Sequence, residues 1–104
     1  MRQYKLLGIG RHRTVLRWRN WVLKIPHHEM GFYDNWKEAR TFRECHYPEG
    51  NEQYARCRLL KNGWLLMEYV EHMPWQSAPH WADCIDCRQV GYNRRGAVVA
   101  YDFA

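Results

Sequence analysis

The chain has 104 residues, a length that suits one domain over residues 1–104 with a modest core and excludes two separate domains. Apolar residues make up 46% and aromatic residues 15% of the sequence, which excludes a disordered chain. No apolar run approaches the roughly 18 residues of a membrane span, and the first ten residues lack a signal peptide's apolar stretch. We therefore expect a cytoplasmic protein without a membrane partner. The net charge of +5 favours an acidic partner, such as a protein face, a nucleotide or a nucleic acid.

The first third of the chain predicts three strands. "YKLLGIG" is a short strand that runs into glycines, and "RTVLRWR" alternates with the period of two that is typical of a half-buried strand. "WVLKIP" forms the next strand after a turn at Asn20, a residue type that tolerates the left-handed conformation. Leu16 and Trp18 share one face of the second strand, which we expect in the core. Arg13 and Arg17 share the other face, which we expect in solvent.

The following segment, "DNWKEARTFREC", changes to a helical period and predicts a helix over residues 34–45. Asp34 or Asn35 is expected to cap its first turn. The apolar residues recur every three positions along one side, which is expected to be buried: Trp36, Ala39, Phe42 and Cys45.

Two hairpins are predicted in the second half. "YARCRLL" and "WLLMEYV" flank Asn62-Gly63, and Asn-Gly between apolar runs is the strongest short hairpin signal. After the loop "HMPWQSAPHW", the segments "RQVGY" and "AVVAYDF" are joined by a turn from Asn93 to Gly96. The predicted fold class is α+β, a small antiparallel sheet with one main helix.

The order of these elements resembles the N-terminal lobe of protein kinases and of related small-molecule kinases, followed by a β-hairpin. "GIGRHRTV" resembles the glycine-rich loop, with Gly8 and Gly10 at the first two glycine positions. "VLKIP" resembles the third-strand motif and places Lys24 at the phosphate-contacting lysine. "LLMEYVE" is similar to the segment that enters the hinge, and "AVVAYDF" to the strand before the metal-binding aspartate, here Asp102.

The resemblance implies a set of nucleotide-binding residues. Glu38 would be the ion-pair partner of Lys24, with Glu44 as the alternative. Backbone groups of Glu68 and Val70 would face an adenine. The whole implied set is Gly8, Gly10, Lys24, Glu38, Glu68, Val70 and Asp102.

Several positions depart from the kinase pattern. Arg13 replaces the third glycine of the loop, Cys84 falls at the catalytic aspartate and Gln89 at the metal-binding asparagine. A thiol cannot play the aspartate's role, because it is normally protonated and hydrogen-bonds weakly. Only 31 residues lie between Val70 and Asp102, too few for the helices of a C-terminal lobe. We therefore expect no catalytic residues and no use of ATP and magnesium.

Four cysteines leave three alternatives open: free thiols in a reducing cytosol, a zinc site, or disulfides. Cys84 and Cys87 have the two-residue spacing of a zinc knuckle. His46 or His80 could replace one of the other ligands. The predicted zinc set is Cys45, Cys57, Cys84 and Cys87.

Three functions stay open at this point. The first is a non-catalytic kinase-like mini-domain that binds and modulates or inhibits a partner protein, a role that suits a gene of a bacteriophage or mobile element. The second is a nucleotide-binding residual phosphotransferase that recruits missing parts by forming a homodimer. The third is a basic nucleic-acid-binding module, since basic side chains neutralise phosphates and aromatic rings stack on bases. Its candidate residues are Arg11, Arg13, Arg17, Arg19, Trp18 and Trp21.

A partner-binding surface is expected where a second lobe would lie. Trp75 and Trp81 are candidate aromatic anchors, with Tyr101 at the strand end beside them. Arg94 and Arg95 would steer an acidic partner towards this surface. In the alternative, the two tryptophans fold back over the sheet and belong to the core.

Overall fold

Two antiparallel sheets and one long helix make up the fold, which confirms the predicted α+β class with one main helix. The computed structural model describes residues 4–44, 54–79 and 89–102, with the side chain of Trp75 excepted. The first sheet has the strand order β1-β2-β3-β5-β4 and the second β6-β7-β8. The strands are β1 (Lys5–Ile9), β2 (Arg13–Trp18), β3 (Trp21–Pro26), β4 (Cys57–Leu59), β5 (Leu65–Glu68), β6 (Glu71–His72), β7 (Val90–Tyr92) and β8 (Val98–Ala100). The long helix is α1 (Glu29–Glu44), and a short 3-10 helix spans Trp75–Ser77.

The first three strands lie where the sequence predicts them, but the turn between β2 and β3 differs in detail. Trp18 pairs directly with Trp21, so the turn contains only Arg19 and Asn20. Arg19, not Asn20, adopts the left-handed conformation, with φ of 57°. The prediction that Asn20 takes this conformation is therefore wrong.

Both predicted hairpins are present. The turn between β4 and β5 contains Gly63 with φ of 88°, a value that only glycine adopts without strain. In the turn between β7 and β8, the side chain of Asn93 accepts hydrogen bonds from the N–H groups of Arg95 and Ala97. The Asn-Gly signal and the glycine after Asn93 thus predicted real turns.

Helix α1 begins at Glu29, five residues before the predicted start at residue 34. His28 caps it: its Nδ1 accepts the N–H of Met30 at 3.2 Å, and its carbonyl accepts the N–H of Gly31 at 2.9 Å. The predicted cap at Asp34 or Asn35 is wrong, because both residues lie inside the helix.

The buried side of α1 is also not the predicted one. Its buried residues are Gly31, Asn35, Glu38 and Ala39, whereas Trp36 is exposed. Of the predicted apolar stripe, Ala39 is buried and Phe42 is half-buried, and Cys45 lies outside the described residues. Two polar side chains thus occupy positions that the period of three assigned to solvent.

The five-stranded sheet has two faces, which we call inner and outer. The inner face is the one that α1 covers, because the inward side chain of Lys24 on β3 contacts Glu38 on α1. Strand alternation then places Arg13, Val15 and Arg17 of β2 on the inner face. Leu16 and Trp18 lie on the outer face. The prediction that the arginines face solvent and Trp18 the core is therefore wrong.

The main core lies between α1 and the inner face and is built from small and medium apolar side chains: Val22, Ala39, Ala55, Leu65, Met67, Val70 and Val99. A second cluster of Met73, Val90 and Ala100 joins the three-stranded sheet to the rest of the chain. The isolated bridge between Tyr54 and Ala100 connects β8 to the segment just before β4. In the part of the chain that the structure describes, no helix is long and apolar enough to cross a membrane.

Candidate functional site

The site is centred on a buried ion pair between β3 and α1. The ammonium of Lys24 donates to Oε1 of Glu38 at 2.9 Å, and the Glu38 side chain is fully buried. Lys24 Nζ also donates to the backbone carbonyl of Tyr101 at 2.7 Å, which ties β3 to the end of β8. Glu44, the alternative partner, is exposed and pairs with Arg40 and Arg43 on its own helix. The structure thus brings Lys24 and Glu38 together.

Arg13 is the second cation of the site. Its guanidinium nitrogen Nη1 lies 2.6 Å from Oε1 of Glu38, and Nη2 lies 3.3 Å from Oδ1 of Asp102. Three segments that are far apart in sequence therefore meet at one guanidinium. A planar group with five N–H donors suits this role, because it can bond two carboxylates at once.

Asn35 holds the cations in place. Its side-chain oxygen accepts a hydrogen bond from Arg13 Nη1 at 3.0 Å, and its amide nitrogen donates to the carbonyls of Lys24 and Gly63. One buried amide thus joins β2, β3 and the turn between β4 and β5. Because these hydrogen bonds use both the oxygen and the nitrogen of the amide, burial of Asn35 costs little free energy.

The electrostatics favour the charged forms of Glu38 and Arg13. Burial alone would raise the pKa of Glu38, but the nearby Lys24 and Arg13 lower it below its usual range. Burial likewise acts to lower the pKa of Arg13, and the carboxylates of Glu38 and Asp102 outweigh that effect, so the pKa is raised. The carboxylate of Glu38 and the guanidinium of Arg13 are therefore both charged at neutral pH and stabilise each other.

A cavity of ≈ 400 Å³ lies beside this network and reaches residues of both sheets. Val15, Val22 and Met67 provide apolar side chains, and the hinge-like residues Glu68 and Val70 line one edge. Lys24, Arg13 and Asp102 lie at its polar end. The resemblance assigned an adenine to the apolar part and phosphates to the polar part, and the structure places these residues around one space.

The glycine-containing segment at the end of β1 borders a neighbouring cavity of ≈ 480 Å³. Gly8 sits at an irregularity in the pairing of β1 with β2, and the N–H of Gly10 donates to the Arg13 carbonyl at 2.8 Å. Asp34 and Asp102 complete the lining. Gly8, Gly10 and Asp102 thus line one cavity, and Arg13 lines both cavities.

The predicted partner-binding residues fall into separate places. Arg94 and Arg95 are exposed in the turn between β7 and β8. Tyr101 is half-buried at the cavity, where its hydroxyl lies 2.7 Å from Nδ1 of His72. The side chain of Trp75 and the whole of Trp81 lie outside the described residues, so their roles as anchors or core remain predictions.

The predicted zinc ligands are mostly outside the described part of the chain, which includes neither Cys45 nor Cys84 nor Cys87. Cys57 is half-buried on β4, and its thiol donates to the carbonyl of Glu38 at 3.7 Å. Among the residues that are described, no group of three histidines, cysteines or carboxylates is arranged to hold a metal ion. The zinc site stays a prediction that elemental analysis of chelator-free protein tests.

Cys57 is expected to be unreactive in the folded protein. Burial, with the nearby Glu38 carboxylate, raises the pKa of its thiol to about 12, and only the thiolate is nucleophilic. Iodoacetamide at about pH 8, close to the ordinary thiol pKa, should therefore leave Cys57 unmodified in native protein and modify it in denaturant. Peptide mapping by mass spectrometry separates this cysteine from the other three. Rapid native alkylation of Cys57 would show that its environment is open.

Sequence reasoning missed three contributors to the site. Asn35 was assigned to a helix cap, and the pairing of Arg13 with acidic groups was not foreseen. His72 gave no signal beyond a loop position. The one signal in the sequence was Arg13 at a position that resembles a glycine of the kinase loop. A buried arginine needs an acidic partner, so this residue could have suggested the contacts with carboxylates.

The chain was compared with models of known protein families, with curated proteins and with solved structures, and none of the three comparisons gives a match.

Proposed function

We propose that this chain is a kinase-like binding domain that transfers no phosphate and acts by binding a partner protein. The observation that carries the proposal is the Arg13 guanidinium, which lies between the carboxylates of Glu38 and Asp102. The resemblance assigns the space beside Asp102 to nucleotide phosphates and their metal ion. In this chain a side chain of the protein occupies that space.

The charges of the network support this proposal. Two cations, Arg13 and Lys24, contact two carboxylates, Glu38 and Asp102, so the formal charges of the four groups cancel. A magnesium ion needs carboxylate oxygens and phosphates need cations. A magnesium ion at Asp102 would compete with Arg13 for that carboxylate, and phosphates would compete with Glu38 for Arg13 and Lys24.

Exposed aromatic and basic side chains support the protein partner. Phe32, Tyr33 and Trp36 are exposed on the solvent side of α1, next to the basic residues Lys37 and Arg40. Aromatic side chains are typical interface anchors, and basic neighbours steer acidic partners. A pull-down from host lysate, with and without nuclease, tests this part. A discrete protein that survives nuclease supports it, and loss of all bound material favours nucleic acid and contradicts it.

Two of the four arginines that suggested nucleic-acid binding do not favour that function, whereas Arg11 and Arg19 are exposed. Arg13 is buried against carboxylates, and the Arg17 guanidinium lies 3.6 Å from the ring centroid of Tyr69. Both side chains are therefore engaged within the protein.

The cavity favours a second candidate, binding of a small ligand without phosphoryl transfer. A volume of ≈ 400 Å³ lies in the range of small-molecule sites, about 300–1,000 Å³. A ligand of nucleoside size could use the apolar part between Val22 and Met67 without entering the ion network.

Incubation with labelled ATP, magnesium and generic acceptors is expected to give no transfer above that of a Lys24→Ala variant. Because Arg13 occupies the polar end of the cavity, magnesium-ATP should bind no more tightly than adenosine, as calorimetry would measure. Robust transfer that requires both Lys24 and Asp102 would contradict the proposal and favour the phosphotransferase.

The variant Arg13→Gly provides the control for this result. Removing the guanidinium opens the polar end, so magnesium-ATP should now bind more tightly than adenosine. Arg11→Gly removes an exposed cation that borders only the neighbouring cavity, and should leave the relative affinities unchanged. Equal behaviour of the two variants would show that Arg13 does not control the site.

A further inference from the structure

The outer face of the five-stranded sheet is apolar and uncharged over its first three strands. Strand pairing places Leu6 opposite Leu16, Ile9 opposite Thr14 and Trp18 opposite Trp21, and directly opposed residues share a face. Tyr4, just before β1, has its ring centroid 6.4 Å from that of Trp18. None of these side chains belongs to either buried cluster.

The charges on these strands are directed away from the outer face, whereas Arg19, in the turn between β2 and β3, places its guanidinium 5.0 Å from the ring centroid of Trp18. The first 28 residues contain seven lysines and arginines and no acidic residue. Strand alternation turns Lys5, Arg13, Arg17 and Lys24 to the inner face, where the last three contact Glu38, Tyr69 or Asp102. Among the described strands, only Arg58 and Glu68 bring charge to the outer face, with opposite signs.

The size of the face is typical of an interaction surface. Three neighbouring strands of about six residues, ~4.8 Å apart with ~3.3 Å per residue, span roughly 300 Å². The largest apolar patches of monomeric proteins have about this size and are often functional. Helix α1 packs on the opposite face, as the contact between Lys24 and Glu38 shows.

We infer that the outer face binds the outer face of a second copy of this chain, so that two five-stranded sheets stack in a symmetric dimer. Stacked sheets pack about 10 Å apart through alternate side chains, as in β-sandwiches. A two-fold interface requires a patch that matches itself. An apolar, uncharged patch meets this condition, and the inward orientation of the basic residues keeps the like charges of two basic copies apart.

Charge also argues against the other occupants. Among the described residues of β1, β2, β3 and the turn between β2 and β3, an acidic protein would find a single cation at this face, Arg19 at the turn end. A nucleic acid or an anionic membrane would lack most of the phosphate contacts that dominate its binding. The inference does not depend on the proposed function, because the site at Arg13 lies on the inner face.

Sedimentation velocity of the full chain, from low micromolar to about 1 mM, tests the inference, since a self-associating protein changes mass with concentration. The matched variants are Trp21→Lys on the outer face and Trp36→Lys on α1, whose tryptophans are 45% and 41% exposed. The wild type should pass from 12.7 kDa to twice that mass. Trp21→Lys should weaken dimerisation at least about tenfold, because it places a charge in the interface, whereas Trp36→Lys should leave it unchanged.

A second matched pair keeps the test decisive if Trp21→Lys fails to fold. Tyr4→Glu on the outer face and Tyr33→Glu on α1 alter tyrosines that are 54% and 51% exposed. Circular dichroism establishes that each variant is folded. A wild type that stays monomeric at the highest concentration overturns the inference. Binding of this monomer to vesicles of phosphatidylcholine and phosphatidylserine would show that the face contacts a membrane instead, and would overturn it as well. Dimers that only the α1 variants weaken, or that all variants retain, also overturn it.

Discussion

Replacement of Glu38 by glutamine is expected to lower the free energy of unfolding by about 3–5 kcal/mol. Both Arg13 Nη1 and Lys24 Nζ lie within 3 Å of the same carboxylate oxygen, at 2.6 and 2.9 Å. A neutral amide leaves two buried cations facing each other without a shared counter-charge. Since a domain of this size is typically stable by only about 5–15 kcal/mol, the loss is a large part of the total. Denaturant unfolding at neutral pH measures it.

Glu44→Gln is the matched control, because Glu44 lies on the same helix and also contacts two arginines, but in solvent. Exposed ion pairs of this kind contribute little, so its unfolding midpoint should not change. Equal effects of the two substitutions would show that the network around Glu38 does not stabilise the fold.

The same carboxylate makes stability depend on pH. The folded protein holds the pKa of Glu38 below its usual range, whereas the unfolded chain has a value of about 4.3. The stabilisation is therefore fully present above about pH 4.3 and is lost as the pH falls through the folded pKa. The difference in stability between wild type and Glu38→Gln should accordingly shrink in acid.

Local signals predicted the strands and turns well. The Asn62-Gly63 pair and the turn that starts at Asn93 give hairpins because their conformations depend on two to four neighbouring residues. The start of α1 was missed because its local signal is unusual. His28 caps the helix through a ring nitrogen, and histidine is not among the residue types that usually mark an N-cap.

The faces of the strands could not be predicted from the same signals. Alternation shows that Arg13 and Arg17 share a side and that Leu16 and Trp18 share the other. Which side is buried depends on partners far away in sequence, such as Glu38 and Asp102, which contact Arg13 across 25 and 89 positions. An arginine on a strand is ordinarily exposed, so the ordinary expectation assigned both faces wrongly.

The resemblance named Lys24, Glu38 and Asp102 among its implied residues. In the structure Lys24 contacts Glu38, and Arg13 contacts both Glu38 and Asp102. What the motifs did not reveal is that Arg13 joins two of them. If the kinase-like interpretation holds, the cation at this glycine position uses the carboxylates that would otherwise bind a metal ion.

Gly31→Ala is expected to destabilise the protein by about 2 kcal/mol or more, although alanine favours a helix over glycine by about 1 kcal/mol. Gly31 lies in the first turn of α1, and an added Cβ would collide with the carbonyl oxygen of His12 and lie 2.8 Å from Cβ of Pro26. The neighbours include backbone atoms that cannot rotate away. The helix would have to move from the sheet, which would also lengthen the contact between Glu38 and Lys24.

Gly8→Ala is the control for this substitution, because a Cβ at Gly8 meets no atom within 4 Å. Its unfolding midpoint should stay close to that of the wild type. Thermal or denaturant unfolding of both variants decides between two effects that act in opposite directions at Gly31, helix propensity and close packing. If Gly31→Ala proves more stable than the wild type, the helix propensity of alanine dominates. In that case Gly31 must lie farther from His12 and Pro26 than the structure places it.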